Sequence, residues 1–335
     1  MAHASSPPGL SLRFFREGDD ERLLPLLEAA FDGWPAVETA APALEHLRWK
    51  LRSRPDALRY HFVAEHDRRL VGLRAFLLQR VRIGGRVFSA RQEVDTCVHP
   101  DEQHKGVMSA MVSASADGID RAFDLSFSIV SGRPAMKALN ESDDEDAFFC
   151  KISVLERALG DPPAAGHPAG WAIQGRPAFD ARIDGFCEEA AEQFDCIVVR
   201  SAAELNWRYA DARAGAFTIR LAEQEGRVLG YAVLRSTRKR AHIADLLALP
   251  GRLDVAASLV RDALVHFSEG GGETIECWSA AGHPYRPLLR EAGFLRTRRS
   301  ISMKFVPRRA TREQIAPIGR RGAVVHLMAG DSDLV

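Results

Sequence analysis

No stretch of this sequence approaches the ~18 consecutive apolar residues that a helix needs to cross a bilayer, so no membrane span is expected. Cysteine is scarce. Cys97, Cys150, Cys187, Cys196 and Cys277 are scattered and form no C-x-x-C pair. That argues against a disulfide framework or a structural zinc site, and for a reducing, cytoplasmic setting. The formal net charge is zero, which counts against a dedicated nucleic-acid binder. The balance is uneven, however. Residues 1–167 hold 21 Lys+Arg and 25 Asp+Glu, so the first half is −4 and the second +4. Basic clusters fall at Arg235–Arg240, Arg296–Arg299 and Arg308–Arg309. The opening "MAHASSPPG" lacks the apolar core of a signal peptide. A length of 335 residues suggests two domains.

What is present starts with Val94 to Val112, "VDTCVHPDEQHKGVMSAMV". It reads as a β-prone segment, a polar loop closing on Gly106, and a helix of small and apolar residues. A helix start exposes unpaired N–H groups and the positive end of a dipole. A glycine lets an anion approach them closely, so the pattern points to a phosphate site.

The chain also repeats itself. "LRWKLRSRPDALRYHFVAEHDRRLVGLRAF" from Leu47 matches "LNWRYADARAGAFTIRLAEQEGRVLGYAVL" from Leu205. At a constant offset of 158, Trp49 pairs with Trp207, Ala64 with Ala222, Glu65 with Glu223, Arg69 with Arg227 and Gly72 with Gly230. Each copy reads as a helix followed by a strand hairpin. At offset 150, "DTCVHP" (Asp95–Pro100) matches "DLLALP" (Asp245–Pro250). Each is followed by a helix, then by a strand at Asp124–Val130 or Glu273–Ser279. The Pro/Gly-rich stretch Gly160–Gly170 reads as the linker. The expected organisation is α/β with mixed sheets in two tandem domains, 1–160 and 171–306, and a tail at 307–335. The polar loop is not repeated: Gln103, Lys105 and Gly106 become Leu253, Val255 and Ala256. The first copy should therefore carry the working site.

With "VHPDEQHKG" set between strand and helix, the order resembles the GNAT N-acetyltransferase superfamily, whose pyrophosphate motif runs Gln/Arg-x-x-Gly-x-Gly/Ala. Gln103–Gly106 match its first four positions and Met108 departs at the last. "REAGF" (Arg290–Phe294) resembles the ending of the last family helix. The resemblance implies acyl-CoA binding, acetyl-CoA or another acyl-CoA, with no metal. The pyrophosphate would lie on Gln103, His104, Lys105, Gly106, Val107, Met108 and Ser109. Cys97 and Val98 would line the pantetheine arm and thioester. Phe31 and Trp34 would stand in the acceptor wall, with Ser131 as a hydrogen-bond donor.

Acyl transfer to an amine needs a proton acceptor. On a regular strand Glu93, Asp95 and Cys97 share one face. Glu93 is the first candidate, because the second copy replaces it with Ile243; Asp95, matched by Asp245, is the second. His99 reads as a loop anchor. The tyrosine that the family often uses as acid is missing from Ser131–Phe149. The expected activity is acyl transfer to a small-molecule amine. Two alternatives are an aminoacyl-tRNA-dependent transferase on a Fem-like scaffold, using the basic clusters, and a non-catalytic GNAT-like binding protein.

Overall fold

The computed structural model describes residues 9–332 except Asp32, 36–37, 131–145, 161–169 and 237–239. The first half contains β1 (Ser11–Phe14), α1 (Asp19–Ala30), α2 (Ala43–Leu51), β2 (Phe62–His66), β3 (Arg69–Ile83), β4 (Arg86–Val98), α3 (Val107–Asp120), β5 (Leu125–Ile129) and β6 (Phe148–Ala158). The second contains β7 (Ala172–Arg176), α4 (Arg182–Ala191), β8 (Cys196–Val198), α5 (Ala202–Tyr209), β9 (Thr218–Gln224), β10 (Arg227–Ser236), β11 (Ala241–Ala248), α6 (Leu253–Glu269), β12 (Thr274–Ala280), α7 (Arg286–Glu291) and β13 (Leu295–Pro307). A last stretch adds α8 (Arg312–Ile315) and β14 (Val325–His326).

The repeated residues have repeated jobs. Glu65 in β2 takes Arg13 of β1 at 2.8 Å and Arg22 of α1 at 2.9 Å. Glu223 in β9 takes Arg176 of β7, and Arg182 of α4 at 2.7 Å. In each half one carboxylate thus ties the first strand and first helix to the hairpin. The hairpin turns also match: Asp67–Arg68 and Glu225–Gly226 are all left-handed, the geometry that suits the twist of a two-residue turn. Gly72 and Gly230 let a helix lie on the sheet. A Cβ on Gly72 would sit 2.6 Å from Met111 Sδ, and one on Gly230 2.8 Å from Val255 Cγ1. Trp49 and Trp207 stack on each other, with centroids 4.7 Å apart, and Trp49 Nε1 donates to the Trp207 carbonyl at 2.9 Å. The repeat therefore meets its own image at the seam between the halves.

The sheet crosses the boundary expected at residue 160. Its order is β1-β2-β3-β4-β5-β13-β6-β12-β11-β10-β9-β7. The last strand of the second half lies between β5 and β6, and β6 pairs with β12. Each half has given its final strand to the other. The exchanged strands are packed by a shared core in which Phe127 stacks on Phe305 at 5.5 Å. The segment expected as a tail also folds back: β14 runs parallel to β8, which in turn pairs with the far end of β3.

Candidate active site

The fourth strand carries the departure from regularity. Leu73 pairs with Cys97 but Ala75 with Val94, so β4 holds an extra residue, with Asp95 in the left-handed region at φ 46°. Aspartate tolerates that conformation better than most residues. The bulge breaks the simple alternation. Val94 and Cys97 both pack on the α1/α2 side with Leu73 and Ala75, whereas Val98 packs on the α3 side with Phe76 and Met111. Glu93 reaches Arg74, whose guanidinium donates to Ser115 of α3. The expectation that Glu93, Asp95 and Cys97 share one face is thus corrected: Glu93 faces α3, Asp95 the opposite side.

From Glu93 onward, just before the bulge, β4 loses its β5 neighbour. It pairs with β5 only through Ala90–Gln92 against Leu125–Phe127. β5 pairs with β13 along its whole length on its other side, and the β4 edge from Glu93 to Val98 has no partner in β5. Cys97 and Val98 lie on that segment.

The loop that follows is built to present a helix start. His99 Nδ1 accepts from the Asp101 N–H, and its Nε2 meets Arg69, which supports the anchor role. Gln103 Nε2 donates to the Val98 carbonyl at 3.2 Å, so its side chain ties the loop to the strand. Lys105 pairs with Glu102 at 3.3 Å. His104 and Gly106 are both left-handed, at φ 63° and 83°. Gly106 is the N-cap of α3, which has no side-chain cap and no acid in its first turn. The space where a Gly106 side chain would stand is open. Val107 and Met108 are buried against Met111, while Ser109 is exposed. The departure at Met108 therefore leaves the loop clear, because its side chain belongs to the core.

The same place in the second half is occupied from within. β11 separates from β12 after Ile243–Cys277, as β4 does from β5. The returning segment lies in that opening. His326 Nε2 is 3.6 Å from Asp245 Oδ1, and His326 Nδ1 is 2.9 Å from His283 Nε2. A Cβ on Gly330 would fall 2.0 Å from Tyr209 Oη. Arg200, buried, joins Asp245 and Asp331. Burial works to raise the Asp245 carboxyl, but Arg200 and His326 overcome it and hold it well below the carboxylate range. The α6 start carries its own acid, Asp254, which pairs with Arg252 and accepts from its own first turn.

The two carboxylates of β4 have different surroundings. Arg74 Nε donates to Glu93 Oε1 at 2.9 Å and Thr96 Oγ1 to the same oxygen at 3.2 Å. Burial acts to raise the Glu93 carboxyl, yet Arg74 and Arg91 hold it below its ordinary value. Arg91 itself is pushed down to about 10 by burial, and it lies over the Phe76 ring. Asp95 accepts from Trp34 Nε1 at 3.2 Å and pairs with Lys50 at 2.7 Å. His46 packs edge-on to Trp34, and burial lowers its pKa. Trp34 thus reaches the strand, while Phe31, half-buried, packs in the α1/α2 core. Ser131 lies outside the described residues. Lys50, Arg74 and His46 were not singled out in the sequence; the one available signal was that Lys50 and Arg208 sit at equivalent repeat positions.

Several members of the basic clusters are engaged; Arg238 and Lys239 lie outside the described residues. Arg235 is buried, donating to the Glu38 carbonyl at 3.0 Å. Arg240 and Arg299 converge on Glu276, Arg308 pairs with Asp120 and Arg309 with Asp124. Among the described residues, no group of three or more His, Cys, Asp or Glu is placed to hold a metal. No helix among them is long and apolar enough to cross a membrane.

Residues 11–131 match the family model described as the acetyltransferase (GNAT) domain. The match lies within the first half of the chain. Solved structures extend the likeness to the whole chain. A protein of Enterococcus faecalis titled a probable N-acyltransferase is 14% identical over 90% of this chain and 73% of its own, with a TM-score of 0.67. A GCN5-related N-acetyltransferase of Anabaena variabilis is 12% identical over 88% and 72%, at 0.64. The N-myristoyltransferase of Saccharomyces cerevisiae, solved with bound myristoyl-CoA, is 10% identical over 90% and 80%, at 0.61. No curated protein matches the sequence. At these identities the likeness is one of fold, and it spans both halves.

Proposed function

We propose that the chain moves an acyl group, acetyl as the first candidate, from acyl-CoA to the amine of a small molecule. The contrast between the halves carries this reading. In the first, an uncapped, acid-free helix start adjoins an open strand edge. In the second, Asp254 occupies the helix start and residues 326–331 occupy the opening.

On this reading the CoA pyrophosphate sits on the N–H groups of Val107, Met108 and Ser109 and on the loop from Gln103 to Gly106. Lys105 adds a mobile charge at the rim. Pantetheine follows Cys97 and Val98, which brings the thioester to the bulge. The amine approaches from the α1/α2 side, past Phe31 and Trp34, and meets Asp95 there. Asp95 takes the proton, directly or through water, as the amine attacks the carbonyl carbon. The tetrahedral intermediate collapses, the C–S bond breaks, and water protonates the departing thiolate. Glu93 is assigned a supporting role, because a carboxylate held below its usual range is a weak proton acceptor near neutral pH. The engaged arginines favour acyl-CoA over aminoacyl-tRNA as donor.

The test is a transfer assay on the full chain, with acetyl-CoA and a panel of small amines, run in parallel with aminoacyl-tRNA. Amine-dependent release of CoA thiol is expected. Transfer from aminoacyl-tRNA with none from acyl-CoA would overturn the reading.

A further inference from the structure

A cavity of about 270 Å³ lies between the two halves, walled by Leu78, Val198, Leu205 and Trp207 and floored by Asp245 and Asp331. Its position in the repeat is informative. Trp207, Arg208 and Asp245 correspond to Trp49, Lys50 and Asp95 of the first half. The cavity is therefore the second half's version of the face assigned above to the acceptor. That half has filled its own donor opening but kept this recess, an arrangement suited to binding without transfer.

The charges in the recess are not equivalent. Asp245 and Asp331 are both satisfied by Arg200. Glu204 accepts from Ser201 and faces Arg80 at 3.4 Å. Arg208 donates to the Ser332 carbonyl and lies over the Trp207 ring. Arg54, which also lines the recess, is the lining cation whose guanidinium meets no acceptor among the described residues. In the same wall Ser53 Oγ, Gln79 Oε1 and Trp207 Nε1 have no hydrogen-bond partner. Buried polar atoms normally have one, so three in one wall call for an explanation. All three are shielded from solvent, so the charge that a ligand in the recess would meet over the apolar walls is that of Arg54.

We propose that this recess binds a small organic anion, a monocarboxylate with one ring or a short branched apolar body, with its carboxylate on Arg54. The size is at the low end for small-molecule sites, which span roughly 300–1,000 Å³. The site is separate from the acyl-CoA opening and does not depend on the transfer reading.

The experiment titrates phenylacetate, phenylacetamide and phenethylamine into the full chain, followed by calorimetry and tryptophan emission. One site for phenylacetate is expected, with the neutral amide about tenfold or more weaker, as loss of a charge-assisted hydrogen bond implies. Arg54→Gln should weaken phenylacetate by a similar factor while leaving CoA affinity unchanged. Gly106→Glu should do the reverse, so the two sites are read apart. The proposal is overturned if phenylacetate does not bind into the millimolar range, if the amide or the amine binds as well as the acid, or if Arg54→Gln binds like the parent.

Discussion

Replacing Glu93 by glutamine separates a structural carboxylate from a catalytic one. Arg74 is buried, with a side chain 4% exposed, and Glu93 is its charge partner at 2.9 Å. Arg91 stands close enough to act on both groups. Removing the carboxylate charge leaves Arg74 with neutral acceptors only, the glutamine amide oxygen and the Ser115 hydroxyl, and a like charge nearby. Breaking a buried pair in this way costs about 3–5 kcal/mol. At roughly 2–4 °C per kcal/mol, melting should fall by roughly 10 °C. The double variant Arg74→Met with Glu93→Met should recover most of that loss, since an apolar pair of similar volume often replaces a buried ion pair at little cost. Differential scanning calorimetry on the parent, Arg74→Met, Glu93→Met and the double variant gives the coupling directly. The kcat of Glu93→Gln, taken well below its melting point, should stay within about tenfold of the parent, short of the roughly 10²–10⁴-fold of a positioned base. A variant that melts like the parent but loses kcat by a hundredfold or more, with CoA affinity intact, would refute the assignment and make Glu93 the base.

Asp95→Asn should lower kcat by about 10²–10⁴-fold with CoA affinity retained, read from initial rates and a CoA titration; parent-like kcat would remove Asp95 from the chemistry. Stability should fall with acid. His61 is fully buried, and burial pushes its pKa down to about 4 from 6.5. Its stabilising neutral form is fully populated above pH 6.5, and the contribution is lost as pH falls from there toward 4, in all about 3 kcal/mol. His283 and His326, both lowered chiefly by burial, act in the same direction. Urea unfolding at pH 7.5 and 5 should show the drop; a flat profile would contradict the neutral assignment. Asp331→Ala should free the returning segment, raising proteolysis at residues 320–332 while the sheet stays intact. Trp49→Ala should cost about 3–5 kcal/mol, measured by urea unfolding, since it removes the stack across the seam.

The duplication was legible because Glu65, Gly72 and Trp49 do local work that each half must repeat: an ion-pair tie, a close helix contact, a seam. The loop closing on Gly106 was legible as a strand-to-helix connection because a polar stretch ending in glycine separates a β-prone run from a helix-former. The strand exchange was not, since β6 and β13 have the ordinary alternation of strands and nothing local names their neighbours. Nor was the bulge, since Asp95 reads as one more alternating residue until the β3 register shows a residue too many. The folding back of residues 323–332 was missed for a similar reason. His326 and Asp331 become meaningful only beside His283, Asp245 and Arg200, which lie far away in sequence.

The proposed function requires that one half, and only one, binds acyl-CoA. Calorimetric titration of CoA into the parent and into Gly106→Glu tests it most directly, because the variant places a side chain and a negative charge where the structure leaves open space at the α3 start. One site is expected in the parent and none in a variant that melts normally. Two sites in the parent, or binding that survives the substitution, would contradict it.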